Sequence, residues 1–152
     1  MPITFVSGDP LLTRMQTLAF GYNAQGRSET TPFITRLADR APAAFAAYAK
    51  QCRAGRITSG GLWLWTEMQP NLLFLAIRES AVSSTRPRHI ETALLTLARD
   101  YRLYNLTGIA IAPLVEPLDW PTLKPAMTHW LKPCPLPVVV YESFTPGVVA
   151  EG

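Results

Sequence analysis

Residues 109–141 read IAIAPLVEPLDWPTLKPAMTHWLKPCPLPVVVY, and this stretch decides the architecture. Ile109-Ala110-Ile111-Ala112 is a short apolar run rich in β-branched residues, which suits a buried strand. Asp119 or Trp120 then precedes Pro121, and Leu123, Met127 and Trp130 recur at helical spacing behind it. Leu136 to Tyr141 closes the stretch with Val138-Val139-Val140, which suits the centre of a sheet. Strand, helix and strand therefore follow one another.

The same alternation runs outward to the N-terminus. Ile3 to Val6 is β-rich and stops at the turn cluster Ser7-Gly8-Asp9-Pro10. Thr17 to Tyr22 reads as a second strand, and the polar stretch Asn23 to Thr31 as a loop. Thr31-Pro32 predicts a helix start, with the helix running to about Arg40. A second helix is predicted from Pro42 to about Arg53, with Phe45, Tyr48 and Cys52 on one face and Gly55 at its end. Leu62 to Trp65 and Asn71 to Ile77 are strands, Trp63 and Trp65 facing one side for core or helix packing. A helix over about Arg88 to Arg102, capped by Ser84 or Thr85, carries the stripe Ile90, Leu94, Leu97 and Tyr101. Strands alternating with helices predict an α/β sheet covered on both faces.

Composition narrows the class. The 152 residues are one domain's worth, and 48% are hydrophobic, which suits a packed core and excludes disorder. Fourteen basic and 11 acidic residues give a net charge of +3, too mild by itself to imply nucleic acid. Cys52 and Cys134 lack metal-ligand spacing and read as small apolar residues in a reduced compartment. His89 and His129 are isolated and read as surface helix residues, so no metal and no cofactor are expected. With neither a leader nor a membrane-length apolar run, the expected location is cytoplasmic.

Several segments in this order resemble macrodomains, nearest to the DNA ADP-ribosyl glycohydrolase antitoxin group. They are Val6-Ser7-Gly8-Asp9, Leu18 to Asn23, Ala41-Pro42 to Tyr48, Ala54-Gly55-Arg56 with Gly60, Ile109 to Pro113, Leu118-Asp119-Trp120 and Val138 to Glu142. The resemblance implies a three-layer fold with a mixed central sheet of about six strands and helices on both faces. Residues 1–145 would form the domain and 146–152 a flexible tail. It also implies an ADP-ribose-type nucleotide or an ADP-ribosylated macromolecule as partner, with weak hydrolysis of an ADP-ribosyl linkage as the possible chemistry.

The resemblance nominates Asp9 as acceptor for an adenine amino group and Asn23 as a ribose-orienting group. Gly26, Arg27 and Ser28, with Thr30, would meet phosphate, and Tyr141 and Phe144 lie near the expected base-stacking position. For Asp9 a turn-capping role competes, for Asn23 a turn role, and for Tyr141 core packing. The family pattern is also broken. Phe20 replaces an asparagine, the stretch 25–31 holds no lysine, and residues 113–117 (PLVEP) hold no glycine. Two prolines there remove backbone donors. Glu116 adds a charge that, at roughly 5 Å and an effective dielectric of about 20, would repel each phosphate charge by about 3 kcal/mol. These departures keep two other readings in view: a catalytically inactive fold used for protein interaction, and nucleic-acid binding through Arg27, Arg78, Arg86 and Arg88.

Overall fold

The computed structural model describes residues 3–151. In chain order the elements are β1 (Ile3–Gly8), β2 (Thr17–Asn23), α1 (Pro32–Arg40), α2 (Pro42–Arg53), β3 (Leu62–Trp65), β4 (Asn71–Arg78), α3 (Pro87–Asp100), β5 (Ile109–Ile111), α4 (Trp120–Leu131) and β6 (Val138–Phe144). A short 3-10 turn, Pro10–Leu12, follows β1. The strands form one six-stranded sheet in the order β1-β6-β5-β2-β4-β3. Neighbours pair in parallel except β3, which runs antiparallel to β4 at the edge. The sheet is thus mixed, as the resemblance implied.

Central strand β2 shows why. All of its residues are buried, as expected of a strand covered on both faces. Leu18, Phe20 and Tyr22 pack with Ile34, Leu37, Ala44 and Tyr48 of α1 and α2. Ala19 faces the opposite core, where Ile90, Leu94 and Leu97 of α3 meet Met127 and Leu131 of α4. The helices that follow β2 therefore cover one face, while those that follow β4 and β5 cover the other. Where adjacent parallel strands send their chains to opposite faces, a crevice opens at their carboxyl ends.

Two β-bulges sit at that edge. Tyr22 pairs with Ala76 and Asn23 with Arg78, so Ile77 is an extra residue in β4. Val6 pairs with Tyr141 and Ser7 with Ser143, so Glu142 is an extra residue in β6. A bulge re-aims the side chains around it. Here Arg78 and Glu142 both turn into the crevice.

Some sequence expectations are corrected. The helix α3 is capped by neither Ser84 nor Thr85: its N-cap is Arg86, and Thr85 accepts a hydrogen bond from Arg78 instead. The last strand starts after Pro137, which cannot donate to the ladder, and the bulge carries it on to Phe144. His89 is buried rather than on the surface; its Nε2 has no hydrogen-bond partner among the described residues and lies 3.5 Å from Glu79 Oε1. Residues 146–151 make contacts with the domain. The Val148 carbonyl accepts from Asp9 N at 2.7 Å, Ala150 packs over Gly8, and the Glu151 carboxylate binds the Thr13 and Tyr141 hydroxyls.

Candidate functional site

The crevice is an open cleft of about 1120 Å³. That slightly exceeds the roughly 300–1,000 Å³ of common small-ligand pockets. Its floor is the carboxyl edge of β2 and β4, at Phe20, Gly21 and Arg78. One wall is the start of α1, the other the residues 113–117 loop and the start of α4. Phe20 and Leu114 line it without filling it, because both side chains are drawn into the cores. Phe20 stands edge-on to Phe33 and Phe74 and stacks on Phe45.

Three helices begin at the cleft: α1, α3 and α4. Each has proline in its first turn and no side-chain cap. In α1 the first N–H bonded to the main chain is that of Thr35, so those of Phe33 and Ile34, both cleft residues, donate to no described residue. A helix start left open in this way favours an anion through its N–H groups and its dipole.

The residues 24–31 loop is shaped from beneath by Asn23, which is fully buried. Its Oδ1 accepts from Gln25 N (3.1 Å) and Arg27 N (3.0 Å), and its Nδ2 donates to Arg27 O and Glu29 Oε2, both at 2.8 Å. The Tyr48 hydroxyl donates to the Asn23 carbonyl at 2.8 Å. At Gly26 the backbone has φ +71°, and a Cβ there would lie 2.6 Å from Ala49 Cα. Only glycine fits that approach.

Glu29 then reaches Arg78. The guanidinium donates to Oε1 at 2.7 Å and to Oε2 at 3.3 Å, and its third bond goes to Thr85 Oγ1 at 3.0 Å. The pair is well shielded, with side-chain exposures of 16% and 7%. This linkage ties the residues 24–31 loop to the residues 79–86 loop across the cleft. Beside it, burial and then the Glu29 charge push the Tyr22 phenol up to about 12.

The other end is built around β6. Glu142, Ser143 and Phe144 line the cleft with Trp120. Trp120 Nε1 donates to Glu142 Oε2 at 2.7 Å, and Lys124 Nζ to the same oxygen at 3.0 Å. These two donors, the indole first, hold the Glu142 carboxyl below the usual carboxylate range. Phe144 meets Phe33 edge-to-face at 5.5 Å, Trp120 packs against Phe5, and Lys124 lies over the Phe5 ring.

The nominated residues divide cleanly. Phe144 lines the cleft; Asp9, Asn23, Gly26, Arg27, Ser28 and Tyr141 do not. Both Asp9 oxygens are taken by the main chain, Oδ1 by Leu11 N (2.9 Å) and Oδ2 by Gly147 N (2.8 Å). Asn23 and Gly26 shape the loop rather than touch the cleft space. Arg27 and Ser28 are exposed on its outer side. Tyr141 is buried, with its hydroxyl on Glu151. The arginine patch does not assemble either, since Arg78 is committed to Glu29. Glu116 lines the cleft but is exposed. Water-like screening then applies, and at roughly 6 Å the repulsion falls to about 0.7 kcal/mol per charge pair.

Glu29, Glu142 and Trp120 were not singled out as ligand residues from the sequence, and Arg78 was considered only as part of a nucleic-acid patch. A signal existed: Arg78 and Glu142 are each the first charged residue after a buried apolar strand, which puts them at the sheet's carboxyl edge.

Solved structures superpose on nearly the whole chain. The macrodomain of Thermus aquaticus DarG matches with a TM-score of 0.83 over 95% of this chain and 98% of its own, at 20% identity. The chain has the macrodomain fold. The Mycobacterium tuberculosis DarG macrodomain gives 0.80 over 95% and 98%, at 21% identity. Thermosipho africanus DarTG, in complex with ADP-ribose, gives 0.84 at 19% identity over 96% of this chain, which spans 42% of that longer one. No protein-family model matches the sequence, and no curated protein matches it. No helix among the described residues is long and apolar enough to cross a membrane.

Proposed function

We propose that this macrodomain-fold protein binds an ADP-ribose-type nucleotide in the cleft between α1 and the residues 113–117 loop. The observation that carries the reading is the open cleft at which α1 begins, lined by Phe33 and Ile34, whose N–H groups donate to no described residue. Those donors suit a diphosphate, and Phe33, Trp120 and Phe144 offer apolar surface to a base and sugar. The ADP-ribose complex of the structurally similar DarTG supports the same class of ligand. The role is binding rather than turnover. The loop holds no lysine, and its acid, Glu29, is occupied by Arg78 and Asn23. The test is calorimetric titration with ADP-ribose. Saturable heat with a matching thermal shift is expected; no heat and no shift at millimolar ligand would end the proposal. Incubation with ADP-ribosylated DNA or protein should release no ADP-ribose.

A second reading, protein interaction, is favoured by the cleft's two lips. Val82 and Leu118 stand 97% and 93% exposed beside cleft residues of the 79–86 and 113–119 loops. Apolar tips of this kind suit a protein surface that carries the nucleotide. Val82→Asp with Leu118→Asp should then weaken binding of an ADP-ribosylated protein while leaving free ADP-ribose unaffected; equal effects on both would reject it.

A further inference from the structure

We infer that the cleft receives its nucleotide on a basic protein segment, a lysine- or arginine-rich peptide whose cations meet Glu91, Glu116 and Asp119 beside the bound ADP-ribosyl group. The inference rests on the proposed nucleotide reading and adds the class of macromolecule that presents the nucleotide.

The chain is net basic, at +3, but its cleft is not. Of the 14 basic side chains only Arg78 lines it, against five acids: Glu29, Glu91, Glu116, Asp119 and Glu142. Two of the five are balanced within the protein. Glu29 pairs with Arg78, and Glu142 pairs with Lys124. The other three are exposed, and none has an ion pair among the described residues. Asp119 holds the N-cap position of α4, yet its side chain makes no capping bond there. Arg86 and Arg88 are exposed nearby in the chain, but neither lines the cleft. The three free acids come from separate elements, Glu91 from α3 and the other two from the loop that leads into α4.

A nucleotide alone gives no use for these charges. Unpaired carboxylates beside an anion weaken its binding, and salt screens that repulsion only in part. Glu116 and Asp119 stand on the wall opposite the start of α1, whose free N–H groups suit the diphosphate. A cation that arrives with the nucleotide turns the same repulsion into attraction. Lysine and arginine bring such a charge on a long apolar stem. Leu118, 93% exposed and between Glu116 and Asp119 in the chain, offers apolar surface to that stem. A nucleic-acid flank would do the reverse, since it carries one phosphate charge per nucleotide.

The experiment titrates four ligands into the wild-type protein: free ADP-ribose, an ADP-ribosylated peptide flanked by lysines, the same conjugate flanked by glutamates, and an ADP-ribosylated DNA oligonucleotide. At low salt the lysine conjugate should bind about 5- to 30-fold tighter than free ADP-ribose, the range of three exposed ion pairs. The glutamate conjugate and the oligonucleotide should bind no tighter than free ADP-ribose. Raising the salt from about 50 mM to about 500 mM should remove most of the lysine advantage. The variant Glu91→Gln, Glu116→Gln, Asp119→Asn changes only exposed side chains, and its thermal transition checks that it folds. It should bring the lysine and glutamate conjugates to equal affinity while free ADP-ribose tightens. A merely structural role for the three acids would leave the ratio of the two conjugates unmoved. Equal affinities for the two conjugates in wild type, or a lysine advantage that survives the triple variant, would overturn the inference and leave nucleotide binding intact. An oligonucleotide bound tighter than the lysine conjugate would overturn it in favour of nucleic acid. Binding of none of the four would overturn the nucleotide reading as well.

Discussion

Replacing Arg78 by methionine tests what holds the cleft open. The guanidinium makes three hydrogen bonds, two to Glu29 and one to Thr85, and it balances a carboxylate whose side chain is only 7% exposed. Without it, Glu29 would keep one neutral donor, Asn23 Nδ2. Leaving a buried charge without its partner costs about 3–5 kcal/mol. For a domain whose total stability is of order 5–15 kcal/mol, that is a large share. Removing both charges, as Arg78→Met with Glu29→Gln, takes away the unpaired charge and should cost about 1–2 kcal/mol, close to the loss of ordinary hydrogen bonds. Urea unfolding, followed by tryptophan fluorescence and far-ultraviolet dichroism, reads both variants at a common slope. A single variant less than about 1 kcal/mol below wild type would refute the shielding argument. So would a double variant as unstable as the single one, since the cost would then not lie in the unpaired charge.

Glu116→Gln should tighten ADP-ribose about three- to tenfold at low salt, and added salt should erase the gain, since the charge is exposed; calorimetry at two ionic strengths measures both. Gly26→Ala should destabilise by about 2 kcal/mol or more, from the left-handed backbone and the approach to Ala49 Cα, as read by chemical denaturation. Tyr22 has its folded value raised from 10 to about 12, so the folded state holds its proton longer than the unfolded chain. Its contribution is intact below pH 10 and is lost on the way to pH 12, at about 1.4 kcal/mol per pH unit. Burial also raises Tyr48 and Tyr141, and therefore alkaline unfolding should be steep; Tyr22→Phe should flatten the stability–pH curve between pH 10 and 12.

The architecture was legible because its signals are local. Leu18 to Tyr22 and Val138 to Tyr141 are apolar runs that suit buried strands, and Pro32, Pro42 and Pro121 mark helix starts. The site was less legible because its geometry depends on long-range pairing. Nothing near Asp9 announces that Gly147 would return to occupy its second oxygen, a contact across 138 positions. The bulges that aim Arg78 and Glu142 arise from register with neighbouring strands, which a single strand's pattern does not contain. Phe144 lies on the cleft, where its place at the end of β6 puts an aromatic at the sheet's carboxyl edge.

The uncapped starts of α1, α3 and α4 also bear on how this protein would respond to stabilising design. An N-cap side chain is worth about 1 kcal/mol, and Arg86 is an unusual occupant of such a position. Installing Ser or Asp there, or re-angling Thr31 and Asp119 to cap, would raise the melting temperature by ordinary rules. At α1 it would also occupy, from within the chain, the N–H groups of Phe33 and Ile34, which now donate to no described residue. Thermal robustness and anion affinity would then move in opposite directions at that helix end.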